Sequence, residues 1–421
     1  MNQLRTSRQG IAYYNRPTGT PIVTVRVVVN AGSAHEKVPG TAHFLEHMFF
    51  KGSQKRGYEE MNRILAALGD TNAYTTTDRT VFYVNTTDDI NVQKALDLLL
   101  EMLFLPALAP VEVEKERQVI LEEYQSGMDN PMHYFVNEAG SFIFDGPNGR
   151  SVIGTKESIK DITLADLHAY RNANYTRQNL AITIIGGNQE VGLDSVEALL
   201  DKYADHLIDG VENTIQIGPK RMGTWQNPKC LNVTHDAEQA GVILWMPCVT
   251  TEEEHALKLA PTVMENMLGQ GMHSMLFQKL REESGLCYST GAFSSGVWED
   301  QVFGAYALLS PENVAQAQTE MAEIIRDLAA GEFDDDLMLT ARSNALFSLS
   351  SATETASGWA MAYSDRFFFY RHKGLLALME GGINAERGTI LSMTPDELRK
   401  NITNAAQRLL TGAAFVTMNA P

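Results

Sequence analysis

Ile162-Thr163-Leu164-Ala165-Asp166-Leu167, followed after a helical stretch by Asn179-Leu180-Ala181-Ile182-Thr183-Ile184-Ile185, decides the fold, because the pattern occurs twice. Further on stand Met393-Thr394-Pro395-Asp396-Glu397-Leu398 and then Gly412-Ala413-Ala414-Phe415-Val416-Thr417-Met418. In each copy a Thr precedes the helix and an acidic residue follows three positions later, which predicts an N-cap with a capping box. The apolar runs after the helices predict buried strands. The copies lie about 230 residues apart, which predicts two copies of one α+β unit. The fold class expected is therefore α+β, with two homologous domains, each a mainly antiparallel β-sheet packed with α-helices. The length of 421 residues agrees, since single cores rarely grow beyond about 250 residues. Residues 206–229 mix Gly, Pro, Asn and charges without a period and read as a linker between domains at 1–205 and 230–421.

Outward from that repeat, the first half opens in strand fashion. Gly10 to Tyr14 and Ile22 to Val29 flank Arg16-Pro17-Thr18-Gly19-Thr20, which predicts a hairpin. Helical patterns follow at 41–50, 57–68, 90–104, 111–128 and 193–204, with Asn72 to Val84 β-rich and Pro106 and Pro110 as breaks.

Composition removes several classes. Lys and Arg number 34 against 52 Asp and Glu, a net charge of −18, and such a surface repels a polyanion, so no nucleic-acid partner is expected. No run approaches about 18 apolar residues and the opening MNQLRTSRQG lacks an apolar core, so neither a membrane span nor a secretory leader is expected. Cys230, Cys248 and Cys287 lack the paired spacing of a disulfide framework or zinc ribbon, and read as reduced core thiols of a cytoplasmic protein.

The chemistry concentrates in Thr41-Ala42-His43-Phe44-Leu45-Glu46-His47-Met48. On a helix, positions i, i+3 and i+4 share a face, so His43, Glu46 and His47 point together. Two imidazoles one turn apart suit a single zinc ion, and the Glu between them is placed as a general base toward an attacking water. A catalytic zinc takes a third protein ligand. The helix from Val113 to Tyr124 is the best supply, with Glu116 and Glu123 two turns apart on one face, although an exposed acidic helix reads the same way.

The inverted motif H-x-x-E-H is that of the inverzincins. Gly40 to Met48, with Phe50-Lys51-Gly52, resembles the pitrilysin and mitochondrial processing peptidase family of zinc metallopeptidases. The resemblance covers nearly the whole chain. It implies one Zn2+ per chain on His43, His47 and Glu123, the last lying 76 residues beyond His47, with Glu116 as a supporting acidic residue. It also implies that the strand of Asn72, Ala73, Tyr74 and Thr75 receives the substrate, and that Arg281 and Tyr288, in Leu280 to Ser289, grip the substrate and the tetrahedral intermediate. Gly269 to Ser274 resembles a Gly-rich turn of the family. The function expected is a zinc-dependent endopeptidase acting on short or unfolded polypeptides held as an extended strand in a closed chamber. Related enzymes enclose substrate with four such domains, so a homodimer is expected, with a heterodimer containing an inactive homologue as a variant. A non-catalytic structural or assembly subunit of the same fold is the alternative.

Aligned on itself, the chain places Thr262-Val263-Met264-Glu265-Asn266-Met267 over His43 to Met48, so the second half is expected to keep the fold without the zinc ligands. His255 beside Glu252 to Glu254, and His133, His273 and His372, read as ordinary polar histidines. Phe367-Phe368-Phe369-Tyr370 reads as a buried helix or strand face, and Ser348 to Ser357 as a loop or weak helix.

Overall fold

Runs of β-branched residues and capped amphipathic helices build two sheets, each with its own helices. The computed structural model describes residues 4–87, 89–188, 190–214, 220–248, 259–297, 300–374 and 387–419, with the single positions 376 and 384. The first sheet contains β1 (Leu4–Thr6), β2 (Ala12–Arg16), β3 (Val23–Val29), β4 (Asp70–Thr75), β5 (Thr80–Thr86) and β6 (Leu180–Gly186). The second contains β7 (Lys229–Thr234), β8 (Ala240–Pro247), β9 (Cys287–Val297), β10 (Asp300–Leu309) and β11 (Ala414–Asn419). In the first half the helices are α1 (Thr41–Phe49), α2 (Tyr58–Leu68), α3 (Asp89–Phe104), α4 (Pro110–Asp129), α5 (Pro131–Ile143), α6 (Lys156–Asp161), α7 (Leu164–Asn174) and α8 (Leu193–Asp201). In the second they are α9 (Leu259–Gly269), α10 (Val314–Ala330), α11 (Asp335–Ser351), α12 (Ala356–His372) and α13 (Pro395–Leu409).

The duplication expected from the sequence is present in five strands of each sheet, β1 being an addition to the first. The first sheet runs β1-β2-β6-β3-β5-β4 and the second β7-β11-β8-β10-β9. In each, one parallel pair (β2 with β6, β7 with β11) is followed by antiparallel pairs. Both marker helices carry the predicted caps: Thr163 with Asp166 on α7, and Thr394 with Glu397 on α13. Both sheets are mixed, so the fold is α+β with two homologous domains.

The expected hairpin between residues 10–14 and 22–29 does not form. Both strands exist, but β6 lies between them, parallel to β2 and antiparallel to β3. Leu180 to Gly186 is buried along its whole length, and such a strand belongs in the middle of a sheet.

The compact units are not two contiguous halves. One comprises residues 1–126, 150–216 and 351–382, the other 127–149, 217–350 and 383–421. Residues 206–229, read as a linker, are divided between the two units, and residues 215–219 lie outside the described residues. In the first unit, α12 packs on β3 and β6. Arg26, buried in β3, reaches Asp365 and Tyr74; Arg79 pairs with Asp365 at 3.2 Å; and Arg16 stacks on Trp359 at 3.5 Å. The run Phe367 to Tyr370 lies on this helix, with Phe367, Phe368 and Tyr370 buried. In the second unit, α5 takes the corresponding place. Phe135, Ala139 and Ile143 join Ile243, Trp245, Val416 and Met418 in one cluster, and Gly241 makes room, since a Cβ there would stand 2.7 Å from the Phe135 ring.

Among the described residues no helix is long and apolar enough to cross a membrane. None of the three cysteines forms a disulfide; Cys248 and Cys287 are buried as expected, but Cys230 is exposed on strand β7. His133 is an exposed polar residue whose Nδ1 lies 3.0 Å from the Gly127 carbonyl, while His255 lies outside the described residues. Ser348 to Ser357 spans the end of α11 and the start of α12.

Candidate metal centre

Helix α1 is preceded by Gly40, whose φ of 90° is open to glycine, and a Cβ there would stand 2.5 Å from the Ile153 carbonyl oxygen. Its apolar positions Ala42, Phe44, Leu45, Met48 and Phe49 sink into the core of the first unit. This burial turns His43, Glu46 and His47 toward α4, whose Val113 and Ile120 belong to the same core.

There the two helices bring three donors together. His43 Nε2 lies 3.6 Å from Glu123 Oε1, and His47 Nε2 lies 3.5 Å from Glu123 Oε2. One ligand atom from each of the three residues lies within 4.8 Å of the others, the one such His/Cys/Asp/Glu group among the described residues. Tetrahedral zinc with bonds near 2.0–2.1 Å separates neighbouring ligand atoms by about 3.4 Å, so the spacing and the nitrogen-and-carboxylate donor set fit that ion.

The surroundings fix these donors and favour positive charge among them. His47 Nδ1 lies 2.9 Å from Glu116 Oε1, leaving Nε2 toward Glu123, and Lys51 Nζ lies 2.5 Å from the other Glu116 oxygen. Burial, then the adjacent His47, push His43 down to about 3, so its imidazole is neutral and its lone pair available. Burial also acts downward on His47, but the Glu116 hydrogen bond with the charges of Glu46, Glu123 and Glu116 raises it above the ordinary imidazole range. The same carboxylates favour a dication. Glu116 is held below the ordinary range by its bonds to His47 and Lys51 against the opposing effect of burial.

Glu46 stands beside the donors and accepts a 2.6 Å hydrogen bond from Thr75 Oγ1, the last residue of β4. Its burial raises its carboxyl above the ordinary range, partly offset by Thr75 and His47. Strand β4 is an edge of the first sheet. Thr76 N–H donates to the Arg79 carbonyl at 2.8 Å in the turn, so alternate pairing leaves the backbone groups of Thr75 and Ala73 facing outward. The Ala73 N–H donates to Asn72 Oδ1 at 2.8 Å, while Tyr74 points its hydroxyl to Arg26 and Asp365.

Arg281 and Tyr288 lie in the second unit, next to each other. Arg281 Nη1 donates to the Tyr288 carbonyl at 2.9 Å and its guanidinium stacks 4.8 Å from the exposed Tyr288 ring. The same unit keeps a remnant of the metal helix. In α9, Thr262 and Asn266 stand where α1 has His43 and His47, yet Glu265 accepts a hydrogen bond from Ser294 on β9, as Glu46 does from Thr75 on β4.

Three parts of the site were not assigned by sequence: Glu36, which holds the start of α1, Lys51 behind Glu116, and Thr75 as the partner of Glu46. Glu36 Oε1 accepts from Gly40 N–H at 2.7 Å and Oε2 from Ala42 N–H at 2.9 Å. An acidic residue just before a helix is the available signal for it.

The duplicated α+β fold thus carries, on one copy, a paired-histidine and carboxylate cluster that could hold a metal ion. Residues 11–156 match the family model described as insulinase (peptidase family M16), and residues 161–345 match that of the peptidase M16 inactive domain. An uncharacterized zinc protease of Mycobacterium tuberculosis is 30% identical over 313 residues, 73% of this chain and 69% of that protein. One from Mycobacterium leprae is 28% identical over 368 residues, 83% of this chain and 80% of that one. A protease from Helicobacter pylori of known crystal structure shares the fold, with a TM-score of 0.83 at 21% identity, covering 100% of this chain and 99% of that one. The chain belongs to the M16 peptidase family.

Proposed function

We propose that this chain is a zinc metalloendopeptidase that hydrolyses peptide bonds in short or unfolded polypeptides. The observation that carries the proposal is the convergence of His43, His47 and Glu123, with the carboxylate of Glu46 alongside. One zinc per chain would sit on those three side chains, supplying a Lewis acid that polarises the scissile carbonyl and acidifies water. Glu46 takes the proton of the attacking water and later passes it to the leaving amine. Thr75 fixes one of its oxygens. Glu116 orients His47.

The substrate is read as an added strand on the open edge of β4, using the outward backbone groups of Ala73 and Thr75 with Asn72 and Tyr74 beside them. Arg281, permanently charged, and Tyr288, a hydroxyl donor, are assigned to the substrate and the oxyanion. The three cysteines, none of them in a disulfide, and the acidic charge support a reducing, cytoplasmic setting, with no nucleic-acid or membrane partner.

Zinc-loaded protein is expected to cleave a quenched peptide library, to stop when a chelator removes the metal, and to resume when zinc returns. The Glu46→Gln variant should bind zinc at wild-type stoichiometry and lose at least about 100-fold in kcat, the usual worth of a positioned base. Undiminished cleavage by zinc-loaded Glu46→Gln protein would remove Glu46 from the chemistry.

A further inference from the structure

The two imidazoles are held in different ways. His47 is tied through its own side chain, Nδ1 to Glu116 and Glu116 to Lys51. His43 Nδ1 is buried and has no protein hydrogen-bond partner. The position of the His43 ring therefore rests on the backbone that carries it. His43 is the third residue of α1, in the turn whose N–H groups have no partner inside the helix.

The Thr41 N–H donates to the Val38 carbonyl at 3.2 Å, and two further N–H groups at this end are met by one side chain. Glu36 is 5% exposed, and its two oxygens divide between the N–H groups of Gly40 and Ala42. Gly40 supplies no side chain to cap the helix and takes a left-handed backbone pressed against Ile153, so the task falls to a residue outside α1. The Glu36 loop is tied down in turn. Arg150 donates to the Glu36 carbonyl at 3.3 Å, and Tyr170 donates to the Gly32 carbonyl at 2.9 Å. Burial pushes the Glu36 carboxyl up to about 8, while the N–H groups of Ala42 and Gly40 and the charge of Arg150 act to lower it.

We propose that Glu36 is the positioning residue for His43, doing through the backbone of α1 what Glu116 does for His47 through a side-chain bond. The proposal rests on the reading that α1 carries zinc ligands. It assigns Glu36 no contact with substrate or metal. Its effect should therefore pass entirely through His43.

The experiment measures zinc affinity by competition with chelators of graded strength, independently of peptidase activity. Wild type, Glu36→Gln, His43→Ala, Glu116→Gln and the two double variants joining Glu36→Gln to each of the others are compared. Gln keeps the volume of Glu36 but offers one acceptor oxygen to two N–H groups. Glu36→Gln is expected to bind zinc about 10–100-fold more weakly than wild type, measured at a temperature where the zinc-free variant is still folded. Adding it to His43→Ala should weaken binding no further, whereas adding it to Glu116→Gln should multiply the two losses, since independent sites add in free energy. Wild-type affinity in Glu36→Gln, or an equal further loss in the His43→Ala background, overturns the inference. Failure of the wild type itself to bind zinc overturns the metal reading instead. If Glu36→Gln does not fold, Glu36→Asp, which shortens the reach to α1, replaces it with the same expected pattern.

Discussion

His43, Glu46 and His47 were legible in the sequence because helical spacing alone puts them on one face. Glu123 was different. Periodicity left Glu116 and Glu123 equally eligible, and the packing of α4 against α1 separates them, giving Glu123 both Nε2 atoms and Glu116 the Nδ1 of His47. Another histidine near the site makes a prediction of its own. His35 accepts from the Gly32 N–H, and burial pushes it below the ordinary imidazole range, opposed by Asp78. Its unfolded form binds a proton more readily than its folded form. Its neutral state therefore contributes stability that is present above about pH 6.5 and is lost as pH falls toward the lower folded value. Between pH 7.5 and 5.5, the urea midpoint of the zinc-free wild type should drop further than that of His35→Gln. Equal drops would show that His35 is not a site of this linkage. The roles of Lys51 and Thr75 were not legible, because each depends on a contact between elements apart in the chain, whereas Glu36 acts locally and shows its role only once the start of α1 is fixed.

Among the elements, strand β4 shows how local pairing sets up a binding edge. The Ala73 N–H that an incoming strand would need is already taken by Asn72 Oδ1. Asn72→Ala should free it and lower KM for extended peptides several-fold with little change in kcat; an unchanged KM would argue against strand addition at this edge. The elements themselves were largely readable, since β3 and β6 are apolar runs and α7 and α13 carry clear caps. Their pairing was less so. Proximity along the chain favoured β2 with β3, and only the wholly buried β6, more than 150 residues later, explains why they are kept apart.

For the molecule as a whole, the duplicated sheet order followed from one repeated segment, but the exchange of α5 and α12 left no trace in pattern or spacing. The proposed homodimer is argued at this scale. If Arg281 and Tyr288 serve the metal centre of the partner, mixing Glu46→Gln protein with Arg281→Ala protein should restore one intact site in each mixed pair. Random exchange then yields about a quarter of wild-type activity. No recovery despite demonstrated subunit exchange would place both residues in the service of their own chain.

The placement of α12 also orders events during synthesis. The first sheet is covered by a helix that the ribosome delivers only at Ala356–His372, about 170 residues after the last strand of that sheet, β6, has emerged. Until then Tyr14 cannot stack on Tyr363, nor Arg26 pair with Asp365. A nascent chain halted between the halves would leave bare one face of the domain that carries His43, His47 and Glu123, so that half is not a module that can be cut away and expected to stand alone.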